Sequence, residues 1–152
     1  MYWQYKYYQD ITTCTPEGEA LFYSNGTACE DKLRVLSRTY PRAVAGSLDF
    51  YEFNSQTGYF NLAFYPLSTP ASDVSSVTEI VFYRDLFYLF GIQVAVNGEY
   101  ESGSDMFEII CPENKTGNVL QISQKSGAPS PYQTVLITIT ACEESSNSCT
   151  CA

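Results

Sequence analysis

Histidine is absent from the 152 residues of this chain, and with it go Ser-His-Asp and Cys-His catalysis and every histidine-based metal site. Positive charge is scarce too: eight Lys and Arg stand against seventeen Asp and Glu, for a formal net charge of −9 and a pI near 4.3. A surface so short of cations cannot neutralise phosphates, which argues against nucleic acid, and it offers no polybasic segment to an anionic membrane. No apolar run approaches the roughly 20 residues that a bilayer-spanning helix needs.

What the chain has instead is strand chemistry. Aromatic residues reach 15%, tyrosine commonest among them, and Thr, Val and Ile add to a β-favouring set, with Ser, Gly, Asn and Pro supplying turns. A chain of this length suits one domain, which buries roughly 68–70% of its unfolded surface. Such a core needs neither metal nor cofactor, and none is expected.

Six cysteines, Cys14, Cys29, Cys111, Cys142, Cys149 and Cys151, form an even set. Two glycosylation sequons, at Asn25 and Asn114, have the turn residues Gly26 and Gly117 beside them. Together these features place the protein on an oxidising, secretory route, with N-linked glycans on both asparagines and all six cysteines in disulfides. Cys14 and Cys29 bracket one turn-rich stretch and make the first candidate pair. Cys142, Cys149 and Cys151 lack the second Cys-x-x-Cys of a thiolate metal site, so disulfides are the expected use. Residues 1–20 have no secretory signal character, so Met1 is not expected to be the start of the natural precursor.

Along the chain, Glu30–Arg38 carries the one helical signature, with acid at its start, Arg at its end and an apolar stripe of Leu33, Val35 and Leu36. Tyr40-Pro41 is expected to stop it. From Gly46 the pattern changes to short alternating segments. Strands are expected near 47–53, 58–65, 77–83, 91–97, 99–102, 106–111, 118–123 and 133–141, with Asn97-Gly98 as a two-residue hairpin turn. Close spacing without intervening helices predicts a mainly β fold, an antiparallel β-sandwich of about eight strands with one short helix and an extended N-terminal strand. The expected divisions are 1–45, strand, turn region and helix; 46–141, sandwich; and 142–152, a polar Cys-rich tail that is ordered only if disulfides hold it.

The opening segment MYWQYKYY alternates as a strand, with Trp3, Tyr5 and Tyr7 on one face and Tyr2 and Tyr8 on the other, beside Gln4 and Lys6. A strand needs neighbours to satisfy its backbone. These aromatics are read as core or interface residues rather than as an exposed sugar platform, because so many bare rings invite aggregation. Glu79 lies on a strand with no evident partner and is read as a solvated carboxylate, not a catalytic acid. Glu99, Glu101 and Asp105 lack the spacing of a calcium loop. Tyr51, Phe53, Tyr59, Tyr65 and Tyr83 would mark a sugar-binding face if they stood in an exposed row, but alternation sends many of them to the core.

The run DKLRVLSRTYPRAVAGS, together with the later VTEIVFY, resembles the C-terminal part of family 5 glycoside hydrolases of the endoglycoceramidase-like group. The resemblance implies that YWQYKYY corresponds to the last strand of a catalytic barrel, EDKLRVLSR to its last helix, and 46–141 to the sandwich that follows. It also implies that both catalytic glutamates of the retaining mechanism belong to earlier barrel strands, upstream of residue 1, which leaves Trp3 as the one residue at a family functional position. The cysteines depart from the family pattern.

Two functions follow as expectations. One is a non-catalytic extracellular structural domain, in which the aromatic strand completes a sheet of a neighbouring copy and builds a head-to-tail homopolymer. The other is an accessory carbohydrate-binding β-sandwich of a glycoside hydrolase, or a fragment of that enzyme.

Overall fold

A computed structural model describes residues 21–23, 25–67, 76–97, 99–100 (backbone alone), 106–112, 118–125, 133–144 and 149–151. The chain divides into two compact units, residues 1–37 and 38–152.

In the first unit, residues 21–29 turn back on themselves. Phe22 bridges Ala28, Tyr23 N donates to Thr27 O at 2.8 Å, and Cys29 N donates to Leu21 O at 2.8 Å. Gly26 closes the turn at φ +84°, a left-handed conformation that glycine adopts without steric cost. Helix α1 (Glu30–Leu36) follows, with Glu30 and Asp31 in its first turn and Arg34 in its last. It ends two residues before the expected Arg38, and the expected stripe buries nothing. Leu33 is half-buried, whereas Val35, two positions on and therefore on another face, and Leu36 are exposed.

The second unit is an antiparallel sandwich. Its strands are β1 (Tyr40–Ala43), β2 (Gly46–Phe53), β3 (Phe60–Pro66), β4 (Val77–Val81), β5 (Ile92–Val96), β6 (Glu99–Tyr100), β7 (Phe107–Ile110), β8 (Val119–Gln124) and β9 (Val135–Ala141), with a one-turn helix α2 (Arg84–Phe87). One sheet runs β1-β4-β8-β7, the other β2-β3-β9-β5-β6. The mainly β sandwich expected from the alternation is what forms. Ile80, Leu120 and Ile122 of the first sheet and Phe60, Leu62, Phe64, Ile92, Val94, Val135, Ile137 and Ile139 of the second meet in one buried cluster. Each such side chain stabilises the fold by roughly 1.5–3 kcal/mol through apolar burial.

Two elements were not expected from the sequence. β1 contains Pro41, which reads as a breaker, but β1 is an edge strand, where a missing N–H costs no ladder bond. The four-residue α2 is too short to show any periodicity. As expected of a two-residue hairpin connection, Val96 pairs with Glu99, and Asn97 takes φ +52°; Gly98 lies outside the described residues.

The RTYPRAVAG segment carries the chain from one sheet to the other. Thr39 is buried, Ala45 N donates to Thr78 Oγ1 at 3.1 Å, and Gly46 lies so close to Tyr65 that any Cβ would collide with its carbonyl oxygen. The C-terminal tail is tied down by two disulfides, Cys111–Cys151 and Cys142–Cys149. Cys151 also exchanges backbone hydrogen bonds with Ile92 at 2.9 and 3.0 Å, and Val94 N donates to Thr150 Oγ1 at 2.9 Å.

Candidate functional site: a cleft on the β2–β3 hairpin

The segment Asn54-Ser-Gln-Thr-Gly58 lies between two strands and has the composition of a turn. Its backbone closes through Asn54 N to Tyr59 O and Gly58 N to Asn54 O, both at 2.8 Å. The Asn54 carboxamide oxygen accepts from Gln56 N at 2.9 Å and Thr57 N at 3.2 Å, while Thr57 Oγ1 accepts from Tyr59 N at 3.2 Å. Gly58 sits at φ +73°.

The hairpin is also anchored from beneath. The buried Tyr88 hydroxyl donates to Gly58 O at 2.7 Å and lies 2.9 Å from Thr39 Oγ1. A carbonyl can only accept, so the tyrosine proton goes to Gly58 and Thr39 donates to Tyr88. Burial pushes the Tyr88 hydroxyl up to about 12, with the Thr39 hydrogen bond acting in the other direction. Phe53 packs edge-on against Phe87 at 5.0 Å between centroids, and Phe82 and Phe87 pack edge-on against Tyr88.

Above this anchor is an open cleft of about 440 Å³, lined by Glu52, Phe53, Asn54, Ser55, Gln56 and Tyr59. Tyr59 is 37% exposed, and Glu52 and Gln56 are exposed as well. The cleft therefore combines a partly exposed ring with a carboxylate, a hydroxyl and amides, on a loop whose own backbone bonds are satisfied internally. Sequence reading noted Tyr59 but passed over Glu52, Asn54, Ser55 and Gln56. Their signal was the polar turn flanked by FYEF and YFNLAFY, which marks a hairpin tip but not a hollow.

The other candidates distribute as follows. Glu79, expected to be solvated and unpartnered, is held: Arg42 Nε and Nη2 both reach Oε2 at 2.8 Å, and Gln121 Nε2 donates to Oε1 at 3.0 Å. The three residues sit on β1, β4 and β8, which neighbour one another in the sheet, with Glu79 paired directly to Gln121. The Arg42 guanidinium first, and the Gln121 amide second, hold the Glu79 carboxyl below the usual carboxylate range. A general acid needs the opposite shift.

Among the tyrosines and phenylalanines considered for a sugar-binding row, Tyr51, Tyr59 and Tyr65 are exposed, whereas Phe53 and Tyr83 are half-buried. Tyr51 stands opposite the core residue Leu62, while Tyr65 alternates with the core residue Phe64. They thus project from opposite faces of the sheet and form no row. Asn25 is exposed at the tip of the first-unit turn, and its Oδ1 accepts from Thr27 N at 2.9 Å. Cys29 is disulfide-bonded. Tyr2, Trp3, Tyr5, Tyr7, Tyr8, Cys14, Asn114, Glu101 and Asp105 lie outside the described residues, as does the Glu99 side chain.

Residues 38–139 match the glycoside hydrolase family 5 C-terminal domain. The chain belongs to this family. The match spans the strands from β1 through most of β9, the RTYPRAVAG crossover included. The resemblance read from that motif is therefore correct for the sandwich. Glycoside hydrolase family 5 C-terminal domains are typically non-catalytic. No curated protein matches the chain.

Proposed function

We propose that this chain serves as a non-catalytic, extracellular accessory β-sandwich of the glycoside hydrolase family 5 type, holding carbohydrate rather than cleaving it. The observation that carries this reading is the ion-paired state of Glu79. This strand carboxylate, read from the sequence as solvated and not as a catalytic acid, is held as an anion by Arg42 and Gln121, so it has no proton to give near neutral pH. The disulfides and the exposed Asn25 turn support a secreted glycoprotein. The test is turnover on a glycosphingolipid and on an aryl β-glucoside. The purified chain releases no product; release that disappears in Glu79→Gln overturns the reading.

A second reading is favoured by one feature of the sheets. Four strands stand at sheet edges among the described residues, and β2 is eight residues long against four for β1, four for β7 and two for β6. Leu48, Phe50 and Tyr51 of β2 are 46–49% exposed, so this edge is long and apolar on both faces. A bulge between Leu48 and Phe50 is its main irregularity. In this reading residues 1–9 of one copy add to β2 of the next and build a head-to-tail homopolymer. Lys6 in that segment and Asp49 and Glu52 on β2 carry opposite charges. Sedimentation of the full chain beside a form lacking residues 1–9 decides it: polymers that dissolve on deletion support strand exchange, and a monodisperse full-length monomer removes it.

A further inference from the structure

The β2–β3 cleft has a chemistry more specific than an accessory role requires. Its floor is anchored: the buried Tyr88 hydroxyl donates to Gly58 O at 2.7 Å, and the turn closes its own hydrogen bonds. Gly58 is itself confined: a Cβ there would lie 3.3 Å from Phe87 Cβ and Tyr88 Cε1. Its volume of about 440 Å³ falls within the roughly 300–1,000 Å³ of small-molecule sites. Glu52, Ser55, Gln56 and Tyr59 line the space, and none of their side chains is used by the hairpin's side-chain hydrogen bonds, which run through Asn54 and Thr57.

We propose that this cleft is a binding site for a neutral, β-linked gluco-configured pyranose, with Tyr59 as the stacking ring and Glu52 as the acceptor for two adjacent hydroxyls. Ring shape, hydrogen-bonding capacity and charge select that ligand. A gluco-configured ring carries its substituents equatorially, so both faces present C–H groups to an aromatic plane, and an axial hydroxyl would interrupt one face. A carboxylate with free lone pairs accepts bidentately from vicinal hydroxyl donors, and such charge-assisted bonds are the stronger kind. The chain's net charge of −9, with Glu52 in the cleft itself, repels uronates and sulfated sugars. A loop already closed by its own hydrogen bonds also loses little freedom on binding, which favours a weak ligand such as a single sugar ring.

This inference rests on the accessory reading but can fail separately from it. The test is a titration of the full 152-residue chain with cellohexaose, followed through the backbone amide resonances of Gln56, Gly58 and Tyr59. A polygalacturonate oligomer serves as the anionic control, and the sugar is analysed for cleavage afterwards. The expected result is saturable shifts at those amides with cellohexaose and none with the uronate. Tyr59→Ala should weaken binding at least tenfold, Glu52→Gln should weaken it several-fold, and Tyr59→Phe should retain it. Tyr59 and Glu52 are exposed, so all three variants should keep the parent melting temperature; a thermal scan of each checks this. Absence of shifts at those amides in a chain that still pellets with an insoluble β-glucan, or equal binding by Tyr59→Ala, overturns the cleft and leaves the accessory reading standing. Cleavage products from cellohexaose would instead overturn the accessory reading.

Discussion

Tyr88 and Gly58 are joined by a hydrogen bond of 2.7 Å from the tyrosine hydroxyl to the glycine carbonyl, which ties a surface turn to the aromatic end of the core. Thr39, the first buried residue of the crossover segment, donates to the same hydroxyl from the other side. One phenol thus links three pieces of chain that are far apart in sequence: the entry to β1, the β2–β3 turn and the residue after α2. The cleft depends on this link, since its lining residues stand on the turn that Tyr88 holds.

Removing that hydroxyl leaves two buried polar groups without a partner. Tyr88→Phe is expected to cost about 1–3 kcal/mol, read as a lower midpoint in denaturant with an unchanged slope. The pH dependence has a definite sign. Tyr88 binds its proton more tightly folded, near pH 12, than unfolded, near pH 10. Its contribution is therefore full below pH 10 and is lost as pH rises from 10 toward 12. The wild type should lose stability over that window more steeply than Tyr88→Phe, and parallel curves would refute the assignment.

Gly46 has no room for a side chain, because a Cβ would run into the Tyr65 carbonyl across the first pair of the β2–β3 ladder. Gly46→Ala should destabilise by about 3 kcal/mol, the upper part of the range for overpacking. At the scale of this domain that is a fall in Tm of roughly 6–12 °C. Gly26→Ala probes backbone conformation alone, since nothing lies within 4 Å of a Cβ there; it should cost markedly less.

The Arg42–Glu79 bridge is a surface interaction, with Arg42 about half exposed, and its contribution should be under about 1 kcal/mol. Glu79 has a folded pKa below its unfolded one, so its contribution is present above the unfolded value and is lost as pH falls through the folded one. Arg42→Ala should therefore lower stability at pH 7 but approach the wild type in strong acid. A difference that grows on acidification would contradict the pairing.

Cys111–Cys151 closes a loop across 40 residues, and a loop of that size is worth roughly 4 kcal/mol through the unfolded chain. The Cys111→Ala/Cys151→Ala double variant should melt roughly 8–16 °C lower. Cys142–Cys149 spans only 7 residues and should matter less, about 2.5 kcal/mol on the same loop-entropy basis. Thermal scans of the two double variants rank them directly.

Much of the sandwich was legible because its strands obey a strict period of two. TVLITITA buries Val135, Ile137 and Ile139 on one face, and Asn97-Gly98 has the turn chemistry its hairpin requires. β1 was not legible, because Pro41 is a breaker everywhere except at a sheet edge, and edge position is a property of the whole sheet. The ties on Glu79 were hidden for a related reason: Arg42 and Gln121 are 37 and 42 residues away and become neighbours only through sheet order. The cleft was partly legible. Tyr59 and the polar turn were visible, but whether a tyrosine beside a turn ends in the core or over a hollow depends on what supports the loop from beneath.

The central claim, a sandwich that holds carbohydrate without cutting it, is tested most directly by co-sedimentation with an insoluble β-glucan. The pelleted fraction and the soluble sugar released are read in the same tube. The account predicts saturable retention of the chain in the pellet, competed by cellohexaose, with no sugar release above a protein-free blank. Failure to pellet, or sugar release that scales with the amount of chain added, would contradict it.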